Sequence, residues 1–369
     1  MPGGSLAAWL AAWLAAWLAA QWARPEPGIG ARLLQPLSWL YGALAAAHRS
    51  LYRLGLRRAR PAPVPLLVVG NLVAGGAGKT PAVMAVVGLL RQQGWTPGVV
   101  SRGHGRRGSG VRAVDRHQSA ADVGDEPLLI HLRTGAPVVV GADRAAAAQA
   151  LCRAHPAVDI LVADDGLQHH RLHHDMALLV FDERGAGNGL LLPAGPLREP
   201  VPQRLGPHQR VLYNAPQPST ALPGCTGTRH LSGVQPLADW WAGAALPADG
   251  GWPALQAAAG RGAPLQAAAG KTTPLLAAAG LARPEGFFRM LEAQGLAITR
   301  LPLADHHPLH PLPWPADTPD LVLTEKDAVK LRPDRTGITR VWVARLDFQP
   351  EPAFAGALRS LCAPFKAPR

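Results

Sequence analysis

The chain has 369 residues, a length that suggests about two domains of roughly 100–200 residues each. Hydrophobic residues make up 48% of it, which is ample for a core. The formal net charge of +12 indicates a phosphate-rich partner, and nucleic acid, anionic lipid and phosphorylated small molecules are the alternatives. Three cysteines lie far apart, at Cys152, Cys225 and Cys362, which argues against a disulfide framework or a zinc site and fits a reducing compartment.

The N-terminal segment carries an Ala-Ala-Trp-Leu unit three times between Leu6 and Ala20. Four-residue spacing advances a helix by about 400°, so Trp9, Trp13 and Trp17 form one stripe. The apolar run is shorter than the roughly 20 residues that span a bilayer, and it lacks the basic leader of a signal peptide. We expect a helix that lies in the membrane interface. A short span and a functionless coding repeat are the alternatives.

A second helix is predicted from about Leu33 to about Leu56, with an apolar face and an arginine cluster near its far end. The face consists of Leu33, Leu34, Leu37, Leu40, Tyr41 and Leu44, and the cluster of Arg49, Arg53, Arg57, Arg58 and Arg60. Pro36 fits this helix only in its first turn. The pattern suits an anionic cytoplasmic leaflet, and an amphipathic helix packed on the first domain is the alternative.

A glycine-rich loop, Gly75-Gly76-Ala77-Gly78-Lys79-Thr80, separates a predicted buried strand at Pro65 to Gly70 from a predicted helix at Thr80 to Leu90. Glycines let backbone N–H groups turn toward phosphate oxygens, and the helix N-terminus adds partial positive charge. The loop therefore predicts a nucleoside triphosphate site. Lys79 reaches the β- and γ-phosphates in this prediction, and Thr80 helps to hold Mg²⁺.

One residue departs from the strict P-loop pattern, which has a glycine at position 73 where this chain has Val73. A glycine-rich turn with an incidental lysine is therefore the alternative to a nucleotide site. A second apolar strand from Asp159 to Gly166 favours the nucleotide site, because it ends in the paired carboxylates Asp164 and Asp165. We expect one of the two to contact Mg²⁺, directly or through water. A capped turn is the alternative.

Two further acids stand between these strands, in Val123-Gly124-Asp125-Glu126-Pro127, which opens a predicted helix to about Arg133. By themselves, acids in this position indicate only N-terminal caps. Val138 to Val140 predicts another strand, and Asp143-Arg144 begins an alanine-rich helix. The alternation of strands and helices predicts an α/β fold with a parallel sheet.

Seven motifs occur in an order that resembles the tetraacyldisaccharide 4'-kinase family, the lipid A kinases of Gram-negative bacteria. They are Val69-Gly70-Asn71-Leu72 through Thr80-Pro81, Ser101-Arg102-Gly103, Val123 to Pro127, Asp164-Asp165-Gly166-Leu167-Gln168-His169, Gly187-Asn188-Gly189 through Leu197-Arg198-Glu199, Ala304-Asp305-His306, and Leu323-Thr324-Glu325-Lys326-Asp327-Ala328-Val329-Lys330. The resemblance covers the chain from about Pro36 to Leu346. One departure is His104, where the family usually has tyrosine.

The resemblance implies transfer of the γ-phosphate of ATP, with Mg²⁺, to the 4'-hydroxyl of an acylated glucosamine disaccharide 1-phosphate, giving lipid IVA at the cytoplasmic face of the bacterial inner membrane. It implies that Asp125 and His306 deprotonate the sugar hydroxyl. His306 is preferred to His307 because it directly follows Asp305. The resemblance also implies that Glu126 lies near Mg²⁺, and that Arg198 and Glu199 face the phosphates and the metal.

The resemblance implies two α/β lobes: a P-loop kinase core in residues 61–210 and a second, smaller lobe in residues 211–369, after membrane-associating helices in residues 1–60. A ten-residue repeat begins at Leu255, Leu265 and Leu275. Only its third copy continues into the stretch that matches the family. We therefore expect the first two copies to form an expanded surface loop at about residues 252–274.

Two other functions stay open at this point. One is a membrane-associated P-loop ATPase that drives a partner protein, although no obligate protein partner is identifiable. The other is a nucleic-acid-binding NTPase, suggested by the positive charge. The arginines near Arg102 to Arg112 lack interleaved aromatic residues for base stacking, so no nucleic acid is expected.

Overall fold

The structure is a computed structural model that describes residues 6–76, 78–261 and 275–366. The chain divides into two compact units of interleaved segments. Unit 1 comprises Met1–Pro97, Pro156–Thr228 and Pro350–Arg369, and unit 2 comprises Gly98–His155 and Arg229–Gln349. The sequence predicted contiguous lobes at 61–210 and 211–369. The observed units differ from these lobes, because residues 98–155 cluster with unit 2 and the C-terminal segment clusters with unit 1.

The described part of the chain alternates between helices and strands. The helices are α1 (Leu6–Trp22), α2 (Ile29–Arg53), α3 (Lys79–Gln92), α4 (Ala120–Val123), α5 (Asp125–Thr134), α6 (Arg144–Ala154), α7 (Leu237–Ala242), α8 (Trp252–Arg261), α9 (Glu285–Ala293), α10 (Glu325–Ala328) and α11 (Ala353–Cys362). The strands are β1 (Leu66–Gly70), β2 (Pro97–Ser101), β3 (Arg112–Ala113), β4 (Val138–Val140), β5 (Ile160–Asp164), β6 (Met176–Asp182), β7 (Gln209–Asn214), β8 (Cys225–Pro236), β9 (Leu275–Ala279), β10 (Ile298–Pro302), β11 (Asp320–Thr324) and β12 (Arg340–Pro350).

Unit 1 is built on parallel strands with β1 at the centre. β1 pairs with β5 on one side and with β6 on the other, and β7 and the start of β8 extend the sheet beyond β6. Every residue of β1, β5 and β6 is buried, which explains why they are continuous apolar runs in the sequence. The register pairs Val69 with Asp164, so the glycine-rich loop and the paired acids lie at the same end of these parallel strands. The predicted α/β parallel core is confirmed.

The second N-terminal helix differs from its prediction. α2 begins at Ile29, so Pro36 lies two turns inside it, and the expectation that this proline occupies the first turn is wrong. Because proline has no N–H, the helix loses one backbone hydrogen bond there. One side of α2 is fixed to the rest of unit 1, since Ser38 Oγ donates to Leu191 O at 2.8 Å and Tyr41 Oη to Arg198 O at 3.0 Å.

The other side of α2 is exposed. Its large apolar side chains that face solvent are Ile29, Leu33, Leu37, Trp39, Leu40 and Leu44. On α1, the exposed apolar side chains include Leu10, Trp13 and Leu14. None of the described helices is long and apolar enough to cross a membrane.

Unit 2 also contains parallel strands. β9 pairs with β10 and β11, and β11 pairs with β12, all in parallel. A second group joins β2 to β4 in parallel and β4 to β3 in antiparallel orientation.

The first copy of the repeat is not a surface loop, so that part of the prediction is wrong. It forms α8, in which Leu255 and Ala258 are buried in a core cluster with Phe287 and Phe288 of α9. The reason is the three-residue spacing, which places both side chains on one face of a helix. The second copy, from Leu265 to Gly270, lies outside the described residues.

Candidate active site

The glycine-rich loop of unit 1 connects β1 to α3 and adopts backbone conformations that require glycine. Gly75 has φ of 92° and Gly78 has φ of 72°, both in the left-handed region. A Cβ at Gly78 would also overlap Asn214 Nδ2. Lys79 is the first residue of α3, so the lysine and the free N–H groups of this helix face the loop. Ala77 lies outside the described residues.

Val73 is explained by its packing. It forms an antiparallel bridge with Leu197, and its side chain is buried in a cluster with Leu72, Leu179 and Tyr213. Its φ is not positive, so no glycine is needed there. The residue that breaks the strict P-loop pattern therefore anchors the loop to the core of unit 1.

Asn71 holds the loop from beneath, although sequence reasoning did not select it. Its fully buried side chain donates from Nδ2 to Val73 O at 2.6 Å and to Gly75 O at 3.3 Å. Its Oδ1 accepts a hydrogen bond from Lys79 Nζ at 3.1 Å. One side chain thus positions both the loop and its lysine. The available signal was its place in the motif between the strand and the loop.

Arg184 is a second residue that sequence reasoning missed. Its Nη2 donates to Gly76 O at 3.2 Å, and its guanidinium also pairs with the buried carboxylate of Asp182, with Nη2 2.9 Å from Oδ2. Asp182 ends β6, the strand beside β1, so the guanidinium ties the loop to the sheet. Nothing local in the sequence marks an arginine two residues after a strand as part of this site.

The residues of unit 1 that were predicted to contact phosphate or metal do not all lie together. Asp165 lies 3.4 Å from Lys79 Nζ and 3.4 Å from Arg198 Nη1, so two cations share one carboxylate. Asp164 is buried at the end of β5. Glu199 instead pairs with Arg49 of α2 at 3.2 Å. Thr80 follows Lys79 in the first turn of α3.

No metal-binding cluster of His, Cys, Asp and Glu occurs within residues 6–76, 78–261 and 275–366 when three or more such side chains are required. Mg²⁺ at nucleotide sites uses only one or two carboxylates together with substrate phosphates. Thr80, Asp164 and Asp165 are the described residues of unit 1 that fit this pattern beside the glycine-rich loop.

Unit 2 contains the predicted pair of Asp125 and His306. Asp125 is the first residue of α5 and only 6% exposed, and its Oδ2 lies 2.7 Å from His306 Nδ1. His306 has φ of 59°, an unusual conformation for a non-glycine residue. His307 instead accepts a hydrogen bond from Leu309 N at its own Nδ1. The geometry therefore separates the two neighbouring histidines and pairs His306 with the acid.

The charges around this pair shift both groups. The hydrogen bond that His306 donates to Asp125 raises the pKa of His306 above its ordinary value, more than burial and Lys326 lower it. Burial by itself would raise the pKa of Asp125, but the hydrogen bond from His306 and the charge of Lys326 lower it further, so the net direction is down. The pair therefore consists of a carboxylate and an unusually basic imidazole. The His104 ring lies 5.5 Å from the His306 ring, edge to face.

Lys326 completes this group, although it was not among the predicted site residues. Its Nζ lies 3.0 Å from Asp305 Oδ1, 3.3 Å from His306 Nε2 and 3.5 Å from Glu126 Oε1. The signal that pointed to it was the motif at the end of β11, which includes this lysine.

The parallel sheet of unit 1, with a strand, a glycine-rich loop, a helix and an acid-ended neighbouring strand, defines a P-loop protein of the NTP-dependent class. A solved structure supports the fold: the "apo" form of LpxK from Aquifex aeolicus, in complex with ATP, aligns with a TM-score of 0.70 and 24% identity over 91% of this chain and 99% of that one.

A family model described as tetraacyldisaccharide-1-P 4'-kinase matches residues 30–363, and the chain belongs to this family. Curated relatives named tetraacyldisaccharide 4'-kinase agree. The protein from Methylibium petroleiphilum is 53% identical over 95% of this chain and 94% of its own length. The one from Leptothrix cholodnii is 49% identical over 88% of this chain and 90% of its own length. The predicted family, enzyme class and kinase function are confirmed.

Proposed function

We propose that this kinase transfers the γ-phosphate of ATP to the 4'-hydroxyl of a tetraacylated glucosamine disaccharide 1-phosphate, which gives lipid IVA for lipid A biosynthesis. The observation that carries the proposal is the hydrogen bond of 2.7 Å between Asp125 and His306. A sugar hydroxyl is a poor nucleophile, so a phosphotransferase needs a base for its proton. An ATPase that only drives a partner protein has no need of a base for a sugar.

In this mechanism, Asp125 accepts the Nδ1–H of His306 and so keeps the lone pair of the ring on Nε2. Nε2 then takes the proton of the acceptor hydroxyl as its oxygen attacks phosphorus. Asp125 stabilises the resulting imidazolium through the same hydrogen bond. The raised pKa of His306 makes it a stronger base than an ordinary histidine.

The residues of unit 1 fit the nucleotide. The left-handed glycines Gly75 and Gly78 leave room where any larger residue would place a Cβ, and Lys79 stands at the N-terminus of α3 to neutralise phosphate charge. Arg198 supplies a second cation beside Asp165. Bound Mg²⁺ would supply further neutralisation of the phosphoryl oxygens, and Thr80, Asp164 and Asp165 would hold it. The assignment of Glu126 and Glu199 to the metal stays a prediction from the family resemblance.

We further propose that the exposed apolar sides of α1 and α2 contact the cytoplasmic surface of the inner membrane, where an acylated acceptor resides. Neither helix contains an acidic residue. Leu33 is 77% exposed and Trp39 is 67% exposed, values that favour an apolar surrounding over water. Arginines near the end of α2 would attract anionic headgroups.

The direct test is transfer of radiolabel from γ-labelled ATP to the purified acylated disaccharide 1-phosphate by the detergent-solubilised protein. We expect one labelled lipid product, and no labelled product from an acceptor in which the 4'-hydroxyl is replaced by hydrogen. Release of labelled inorganic phosphate without any labelled lipid would contradict the proposal and favour an ATPase.

A further inference from the structure

Lys326 is held in a fixed position by its neighbours on α10. Thr324 caps this helix by accepting a hydrogen bond from Asp327 N, and Glu325 is buried and accepts from Trp240 Nε1 at 3.0 Å. Arg133 also pairs with the Glu325 carboxylate. The backbone on each side of Lys326 is therefore anchored in unit 2, and its side chain, 18% exposed, extends toward Asp125 and His306 from a rigid base.

The hydrogen-bonding chemistry of an ammonium group makes this position informative. An ammonium has three N–H donors and no acceptor, and Lys326 Nζ has three acceptor atoms around it, at Asp305, Glu126 and His306. Nε2 of His306 can interact favourably with such a donor only through its lone pair. Asp125, as a carboxylate, can only accept from Nδ1. Asp125 and Lys326 thus demand the same tautomer, with the proton on Nδ1 and the lone pair on Nε2, whereas Asp305 Oδ1, 3.8 Å from Nε2, lies beyond hydrogen-bond distance.

We propose, building on the proposed function, that Lys326 is a positioning residue for the base. Its ammonium group holds Nε2 of His306 unprotonated in the free enzyme and is displaced from Nε2 by the acceptor hydroxyl. Nε2 has one lone pair, so the hydroxyl replaces the ammonium there. The proton then passes from the hydroxyl oxygen to Nε2, and Lys326 stays charged and bonded to Asp305 and Glu126.

The charged groups that face His306 are consistent with this role. Asp125 on α5 and Asp305 on the loop of His306 itself favour the protonated ring, whereas Lys326 on α10 opposes it, with His104 the other titratable ring nearby. Without Lys326, only burial would oppose the acids, so the pKa of the imidazole would rise further and a larger fraction of it would hold a second proton at a given pH. Lys326 therefore keeps a histidine that is strongly bonded to a carboxylate available as a base.

The test compares Lys326→Met and Lys326→Gln with Lys326→Arg, and uses Lys330→Met as the matched control. Lys330 lies one helical turn further on and pairs with buried Asp327 at 2.6 Å rather than with His306; its charge acts on Asp125, so this control removes a nearby cation that does not contact the ring. The full-length protein is labelled with ¹⁵N-histidine and titrated by NMR without substrate, and the signal of His306 is identified by its loss in His306→Gln.

We expect the Met and Gln variants to raise the pKa of His306 by about 1 unit, since each removes a cation in contact with the ring. The Arg variant and the Lys330→Met control leave this pKa unchanged. An unchanged pKa in both the Met and Gln variants would overturn the proposal, as would an equal rise in the Lys330→Met control.

Kinetics provide the second measurement. The Met variant should lose about 10–100-fold in kcat at neutral pH, within the range of general base catalysis, and regain activity as the pH rises. The KM for ATP should not change, and Lys326→Arg should recover part of the loss. A loss of kcat that does not depend on pH would indicate a purely structural role and overturn the proposal. The NMR titration needs no lipid acceptor, so it stays decisive even if the wild-type protein transfers no label to the disaccharide.

Discussion

At the scale of single residues, His306 shows how one group is selected from many of its kind. The chain contains 14 histidines, and composition alone gives no reason to prefer this one. Its partner Asp125 lies 181 positions away in the sequence, so only the fold brings the two together. Family resemblance pointed to both residues, and the structure adds their hydrogen bond and the left-handed backbone that places it.

The raised pKa of His306 leads to a prediction on pH. Below this pKa the ring is protonated and cannot accept a proton, so kcat/KM of the wild-type enzyme should fall as the pH drops through a value above the ordinary 6.5. Asp125→Asn removes the charge that raises the pKa, so this acid limb should move to lower pH. Maximal kcat should also fall by about 10²–10⁴-fold. Identical acid limbs in the pH profiles of both proteins would show that Asp125 does not set the pKa of the base.

At the scale of elements, the glycine-rich loop and the start of α3 form one structure. Asn71 and Arg184 hold carbonyls of the loop, and the positive φ of Gly78 lets the chain turn into the helix. Side chains of the protein itself therefore hold these carbonyls in place, and such preorganisation lowers the entropy lost when a nucleotide binds.

Gly78→Ala should disturb this shape, because alanine at φ of 72° costs about 1–2 kcal/mol and its Cβ would overlap Asn214 Nδ2. We expect affinity for ATP, measured by calorimetry, to fall at least about tenfold. Gly88→Ala is the matched control within α3, since a Cβ there meets nothing within 4 Å and should stabilise the helix by about 0.5–1 kcal/mol. Equal ATP affinity in the two variants would refute the requirement for glycine in the loop.

The exposed side of α2 gives a second prediction at this scale. Leu33→Glu combined with Leu40→Glu adds two negative charges to side chains that are 77% and 58% exposed, so the fold should be unaffected. We expect much weaker flotation with vesicles that contain anionic lipid, because the apolar contact is lost and the new charges repel the headgroups.

Ile338→Glu offers a control, since Ile338 is also 77% exposed but does not belong to α1 or α2. Its flotation should equal that of the wild-type protein. If the double variant floats as well as this control, the exposed side of α2 does not contact the membrane.

At the scale of the whole molecule, the interleaving of segments determines which parts stabilise each other. The C-terminal helix α11 packs on α3 and β7 of unit 1, and its Phe354 is 1% exposed. Gln93, at the end of α3, donates from Nε2 to Ala355 O at 2.9 Å, which fixes α11 against the helix that begins at the glycine-rich loop.

Phe354→Ala should therefore destabilise unit 1 by about 3–5 kcal/mol, through lost burial and the cavity that remains. Because ATP would bind the folded unit alone, a concentration of 100 times its Kd should restore about 2.7 kcal/mol, visible as a rise in melting temperature. Phe365→Ala, at a half-buried site, should cost less. If Phe354→Ala melts at the wild-type temperature, α11 does not stabilise unit 1; if ATP raises the melting temperature of the wild-type protein but not that of the variant, the variant has lost its nucleotide site.

Much of unit 1 could be predicted because its signals are local. Buried parallel strands are continuous apolar runs, and a left-handed turn before a helix demands glycine, so β1, β5 and the glycine-rich loop are evident in the chain. Predictions failed where packing overrides local pattern. The alanine-rich first repeat became a buried helix because unit 2 offers it an apolar surface, and α2 began before Pro36.

By itself, the sequence determined the P-loop and, through seven ordered motifs, the kinase family to which this chain belongs. Only the tertiary structure decided how the side chains of each site are held. Asn71 beneath the loop, Arg184 against Gly76, and Lys326 between Asp305 and His306 owe their positions to hydrogen bonds and ion pairs. Arg184 and Lys326 reach their partners across separate elements. Such contacts depend on distance and direction in three dimensions, and no periodicity along the chain records them.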